Sequence, residues 1–251
     1  MCIVIVKKSG VASPSKDILK NCFEANPHGA GFMFLKNGNV QIEKGFMDFK
    51  ALDKAIDKRN FKKDDTVVYH FRIATAGNID PFTCHPFPLS SDINHLRERE
   101  ISSSVGIAHN GIIKITPSHP DLSDTQEFIR SVMADKIICN RLEDAETRLF
   151  IEEMTTGSRL VVLANNFLHT YGHGWIEDTG LLFSNDSYKP RYLWDWDDNP
   201  EYVPKDGKKR GKQYDLVMDI LEEFLYLQEL NDADTSPYEL MDIAYDSITG
   251  N

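Results

Sequence analysis

Residues 66–77 read Thr-Val-Val-Tyr-His-Phe-Arg-Ile-Ala-Thr-Ala-Gly. Val67, Val68, Tyr69 and Phe71 all favour the pleated state, so 66–73 is expected to be a strand. A second such run, residues 2–6, is apolar and mostly β-branched, as suits a buried strand. Working outward, 30–35 and 40–43 read as strands joined by the hairpin signal Asn37-Gly38-Asn39. Residues 104–108 and 112–115 flank His109-Asn110-Gly111 as a strand-turn-strand, and 160–163, 167–171 and 181–183 read as short strands. Within the first 198 residues, helices are expected in three places. One follows Ser13-Pro14-Ser15, with Ile18, Leu19, Cys22 and Phe23 on one face; a second covers 48–59, with Phe49, Leu52 and Ile56 inward. The third runs over 123–138 from Ser123, with a stripe of Phe128, Ile129, Val132, Met133 and Ile137. Runs of strands with separate helices, rather than strict alternation, argue an α+β layered fold.

The 251 residues divide by composition into a domain over 2–198 and an acidic helical extension over 199–251, whose helix is expected at 213–230. The formal net charge of −11 repels phosphate backbones and makes nucleic acid a poor partner. The basic run Lys208-Lys209-Arg210 between two glycines reads as a solvated loop. No stretch reaches the roughly 18 apolar residues that cross a bilayer, and the N-terminus has no signal-peptide pattern, so no membrane partner and a cytoplasmic location are expected. Cys2, Cys22, Cys84 and Cys139 are scattered and form no disulfide framework.

Cys2 could be simple core packing. Loss of Met1, however, would leave a cysteine carrying both a thiol and a free α-amine. A thiol with a pKa near 8.5 needs a base at neutral pH, and an α-amine of pKa about 7.7–8.0 can serve, directly or through a water. Three further segments fit hydrolysis of an amino acid's side-chain amide. Arg72 offers a guanidinium fork for an α-carboxylate. Asp124, at a helix start, offers a carboxylate for an α-ammonium. Asn110-Gly111 offers a side-chain amide and a backbone N–H for a tetrahedral oxyanion. Each also has a plain reading: a strand-end charge, a helix-start charge and a hairpin turn.

Met1-Cys2, then His70-Phe71-Arg72-Ile73-Ala74-Thr75-Ala76-Gly77, then His109-Asn110-Gly111, then Ser123-Asp124-Thr125, in this order, resembles the glutaminase domain of class II glutamine amidotransferases. Asn26-Pro27-His28-Gly29, Cys84-His85-Pro86-Phe87 and Ala108-His109-Asn110-Gly111 are similar to segments of its small single-domain members. The resemblance spans about residues 1–189. It implies a four-layer αββα sandwich of two antiparallel sheets, the N-terminal-nucleophile hydrolase fold. It makes Cys2 the nucleophile, Asn110 and Gly111 the oxyanion hole, and Arg72, Thr75 and Asp124 the binders of substrate. His28, Gln126 and Ala76 depart from the usual residues, which leaves open glutamine or another γ-glutamyl amide.

No cofactor and no metal are expected, because no Cys/His cluster has zinc-ligand spacing. Residues 199–251 are too few for a fused synthase domain, so two outcomes are open: a separate synthase subunit receives the ammonia, or the protein hydrolyses a small amide alone. Two alternatives remain: an amidase for another γ-glutamyl amide, and a catalytically silent binding or regulatory protein.

Overall fold

Strand β1 (Ile3–Lys7) is buried along its whole length, and its side chains divide between two cores. Ile3 and Ile5 pack on one face; Val4 and Val6 pack on the other. A strand covered on both faces has no reason to alternate with polar residues, which is why residues 3–6 are apolar throughout. β4 (Val67–Phe71) runs antiparallel beside it with Ile3 opposite Phe71, and divides in the same way. The computed structural model describes residues 2–74 and 79–189.

Around this pair, β2 (Ala30–Lys36), β3 (Asn39–Phe46), β6 (Glu100–Ser103), β10 (Ile176–Asp178) and β11 (Leu181–Phe183) complete a seven-stranded sheet of order β10-β11-β1-β4-β2-β3-β6. A four-stranded sheet takes β5 (Phe87–Pro88), β7 (Val105–Asn110), β8 (Arg159–Ala164) and β9 (Leu168–Tyr171), in the order β5-β7-β8-β9. Among the described residues every ladder is antiparallel, from β1 with β4 to β8 with β9. The sheets face each other across Val4, Val6, Met33, Ile42, Val68, Val161 and Leu163. They approach closely at Gly106, where a Cβ would meet Met33 Sδ at 2.6 Å and Val40 Cγ1 at 2.8 Å. Helices cover the outer faces. α1 (Lys16–Ala25) and α2 (Phe49–Arg59) bring Leu19, Phe23 and Leu52 onto the larger sheet. α4 (Asp124–Phe128) and α6 (Ala145–Met154), with the π-helical turn Ile129–Met133, bring Phe128, Ile129, Met133 and Ile151 onto the smaller. The fold is therefore α+β, with two antiparallel sheets packed face to face.

The helix starts are set by side chains that take up otherwise unpaired backbone N–H groups. Ser15 accepts from Ile18 N, and Asp48 accepts from Ala51 N. Ser123 and Gln126 form a reciprocal capping box at α4.

Two sequence expectations are corrected. The segment after Gly111 is no strand: β7 ends at Asn110, Ile112 is 68% exposed, and only Ile113 and Ile115 turn back onto the core. An apolar run was mistaken for a ladder because its burial comes from a loop. The long helix expected over 123–138 breaks, and α5 (Lys136–Cys139) starts anew after Asp135. Asp135 accepts from Ile137 N, a local bond that competes with helix continuation, and leaves Ile137 68% exposed instead of in the stripe. Sequence reading also left out β5, β6, β10, α3 (Ile93–Arg97) and α6.

The chain divides into two units, Met1–Arg191 and Tyr192–Asn251. The helix expected at 213–230, the extension over 199–251 and the boundary at 198 lie outside the described residues. Among the described residues no helix is long and apolar enough to cross a membrane.

Candidate active site

Four element ends meet at one cavity of about 330 Å³. β1 starts there just after Cys2, β4 leaves it through Arg72, β7 ends there before Gly111, and α4 starts there with Asp124. Antiparallel pairing of Ile3 with Phe71 puts Cys2 next to the Arg72-Ile73 turn. The Cys2 thiol accepts from Ile73 N–H at 3.3 Å and lies 3.4 Å from Ile73 O. Burial pushes that thiol up, only partly offset by the Ile73 backbone hydrogen bond and the Arg72 guanidinium. It is a protonated thiol at neutral pH and needs a base to attack.

Arg72 is buried and lines the cavity. Its backbone is fixed on both sides: its N–H donates to Gly29 O at 2.8 Å, and its carbonyl accepts from His28 N–H at 2.9 Å. His28 also accepts from Ala74 N–H through Nδ1 at 2.9 Å, a task a carboxylate could equally fill. Asp124 ties the loop after Gly111 to the helix start. One of its oxygens accepts from Ile113 N–H at 2.7 Å, the other from Thr125 N–H at 2.7 Å. The Thr125 hydroxyl adds a third bond at 3.3 Å, and with about four acceptor positions on a carboxylate one remains for an ammonium. Gln126 completes the capping box and donates to Leu96 O at 3.3 Å, so its departure from the resembled pattern serves structure.

Gly111 lines the cavity with φ at +150°. A Cβ there would fall 2.1 Å from Ser158 Oγ and 2.9 Å from Ser158 Cα. The backbone contact cannot be relieved by rotating a side chain. Gly111→Ala is expected to lower unfolding free energy by about 1–3 kcal/mol, the range of overpacking. An unchanged denaturant midpoint would contradict this.

Asn110 stands differently from the rest. It is 2% exposed, outside the cavity wall, and its amide lies 2.9 Å from Ser184 Oγ. With Nδ2 donating to Ser184, Asn110 Oδ1 is buried without a protein partner among the described residues. Ser184 Oγ already accepts from Val4 N–H at 2.9 Å. Turning the amide over lets the Ser184 hydroxyl donate to Oδ1 and frees Nδ2, the orientation an oxyanion donor requires. Thr75 lies outside the described residues.

Three imidazoles cluster at the cavity, His85 and His109 in its wall and His70 outside it, stacked on His85. His70 Nε2 donates to His109 O at 3.0 Å, joining β4 to β7 across the sheets. The rings of His70 and His85 stack at 4.3 Å. His109 Nδ1 lies 2.9 Å from Thr125 Oγ1. Burial holds all three neutral, with His70 pushed down to about 3, His109 to about 4 and His85 well below its ordinary value. None of them is a base for the thiol at neutral pH.

Sequence reasoning found Cys2, Arg72, Gly111 and Asp124, which share the cavity. It missed Ser184 and Asn185, whose side chains hold Val4 N–H and the Cys2 carbonyl. Side chains that bond to backbone leave no motif, and the only signal is the polar run after strand Leu181–Phe183. Among the described residues no group of three or more His, Cys, Asp or Glu is placed to hold a metal ion. No protein-family model matches the chain, and no curated protein matches it.

Proposed function

We propose that this chain is a glutamine amidohydrolase of the class II amidotransferase kind, an N-terminal-nucleophile hydrolase acting through Cys2. The observation that carries this reading is the shared cavity: a thiol at the chain's second residue faces the same space as a guanidinium, a carboxylate and a turn glycine. Removal of Met1 frees the Cys2 α-amine, which takes the thiol proton. The thiolate attacks the side-chain amide carbon, and the resulting oxyanion is held by Gly111 N–H and the Asn110 amide. Collapse expels ammonia, with the proton returned from the amine, and leaves a γ-glutamyl thioester. Water then cleaves the thioester, giving glutamate and the free thiol. Arg72 holds the α-carboxylate bidentately, Asp124 the α-ammonium, and Thr75 adds a hydrogen bond.

A second reading has its own support. Ile112, Ile115, Pro117 and Pro120 give the cavity an apolar wall that glutamine's primary amide does not need. A γ-glutamyl amide with a substituted, partly apolar amine would use it, by the same chemistry at Cys2.

The test is release of glutamate from L-glutamine and from N-substituted γ-glutamyl amides, by wild type and Arg72→Lys. A lysine gives a point charge where the carboxylate meets a fork. KM is expected to rise roughly 10–100-fold with kcat nearly unchanged, the cost of a charge-assisted hydrogen bond of about 1.5–3 kcal/mol. No release from any of these amides by the Met1-processed wild type would refute the proposal.

A further inference from the structure

An N-terminal nucleophile works only if its amine points where the thiol proton must go. In Cys2 the thiol, carbonyl and amine all hang on one Cα, so fixing two of them fixes the third. The thiol is held at Ile73, at 3.3 Å from its N–H. The carbonyl accepts from Asn185 Nδ2 at 2.7 Å. Asn185 is itself locked: its Oδ1 accepts from Ser187 N–H at 3.1 Å and from Ser187 Oγ at 2.7 Å. Ser187 Oγ in turn accepts from Asn26 Nδ2 at 3.3 Å. One residue earlier, Ser184 binds Val4 at both backbone groups, its Oγ accepting from Val4 N–H and its N–H donating to Val4 O at 3.0 Å. Residues 184–185 thus grip the first turn of the pleat in β1, with the amide donor of Asn185 on the carbonyl that sets rotation about the Cys2 Cα–C bond.

We propose that Asn185 is the positioning residue of the nucleophile: by holding the Cys2 carbonyl it fixes the direction of the Cys2 α-amine relative to the thiol and the cavity. This rests on the N-terminal-cysteine reading above. Asn185 touches no reacting atom, and its loss leaves the thiol, Arg72, Gly111 and Asp124 in place. Its effect is on how often amine and thiol are aligned for proton transfer. A misplacement on the order of 1 Å costs about 10²-fold in rate.

Two readouts test it on the full chain. With L-glutamine, Asn185→Ala and the isosteric Asn185→Asp, which puts an acceptor against the Cys2 carbonyl, should lower kcat by about 10–100-fold. KM should stay within about threefold, because substrate contacts remain. Asn185→Gln, which keeps the donor, should recover part of the rate. Alkylation of Cys2 by iodoacetamide, followed by mass of the N-terminal peptide, needs no substrate. Its pH profile should move to higher pH in the neutral variant Asn185→Ala, as the thiol loses its aligned amine. A general loosening of the fold would not move that profile in this direction. Unchanged kcat in Asn185→Asp together with an unchanged alkylation profile in Asn185→Ala overturns the proposal. Should Asn185→Ala fail to fold, the neutral Asn185→Ser takes its place in both readouts. A wild type that cleaves no γ-glutamyl amide refutes the function, while the alkylation profile still judges Asn185.

Discussion

Cys2→Ala is expected to abolish amide hydrolysis while leaving the fold intact. Loss of the nucleophile from a hydrolase that works through a covalent intermediate costs on the order of 10⁶ in kcat. No neighbouring group can replace it. Cys22 and Cys84 are buried away from the cavity wall, and the imidazoles at the cavity are held neutral by burial and cannot take the place of a thiolate. The structural cost is small, because the thiol is only part-buried and its bonds to Ile73 are weak sulfur contacts. About 1 kcal/mol or less is expected in denaturant unfolding. Glutamate release at the wild-type rate by Cys2→Ala would end the mechanism outright. The same mechanism sets the pH dependence. The thiol is pushed up by burial, so kcat/KM should rise with pH as the α-amine loses its proton, near 7.7–8.0 in an unperturbed terminus.

Acid should unfold the protein well before its carboxylates alone would require. His70 and His109 take a proton near 6.5 when unfolded, but in the fold not until about 3 and about 4. The unfolded chain therefore binds more protons throughout this window, and stability present above pH 6.5 is lost as pH falls. At pH 4 the penalty is about 3 kcal/mol for each ring. His85, pushed down by the same burial, adds to it. About 6 kcal/mol from two rings is comparable with the whole stability of a typical domain, about 5–15 kcal/mol. Denaturant midpoints measured from pH 7 to pH 4 should fall steeply. In His70→Gln, whose amide can still donate to His109 O, the fall should shrink by about 3 kcal/mol. A flat profile, or an equal fall in His70→Gln, would contradict the buried neutral cluster.

What the sequence made legible follows from where burial comes from. β1, β4 and β8 lie between a helix layer and the facing sheet, so both their faces are apolar and their runs are unmistakable. β6 has one buried residue, Ile101. It pairs with β3 over four residues, Val40 opposite Ser103 through Glu43 opposite Glu100, and so carries no comparable signal. α6 was missed for a related reason: Leu149 and Phe150 are exposed beside buried Ile151, so its apolar residues are consecutive and form no stripe. The site divides in the same way. Arg72, Gly111 and Asp124 carry side-chain or conformational chemistry that shows in residue type and order. The hold on Cys2 comes from a backbone N–H of Ile73 and an asparagine 183 positions away, and no local pattern announces such a pairing.

The most direct test of the central claim is intact mass of the purified protein, before and after treatment with a glutamine-mimicking diazoketone. The account predicts loss of one methionine and then a single adduct, mapped to Cys2 and suppressed by L-glutamine. A retained Met1 with no adduct on Cys2 would contradict it: the α-amine would be tied up in a peptide bond, and the cavity would have to be explained as a binding site without this chemistry.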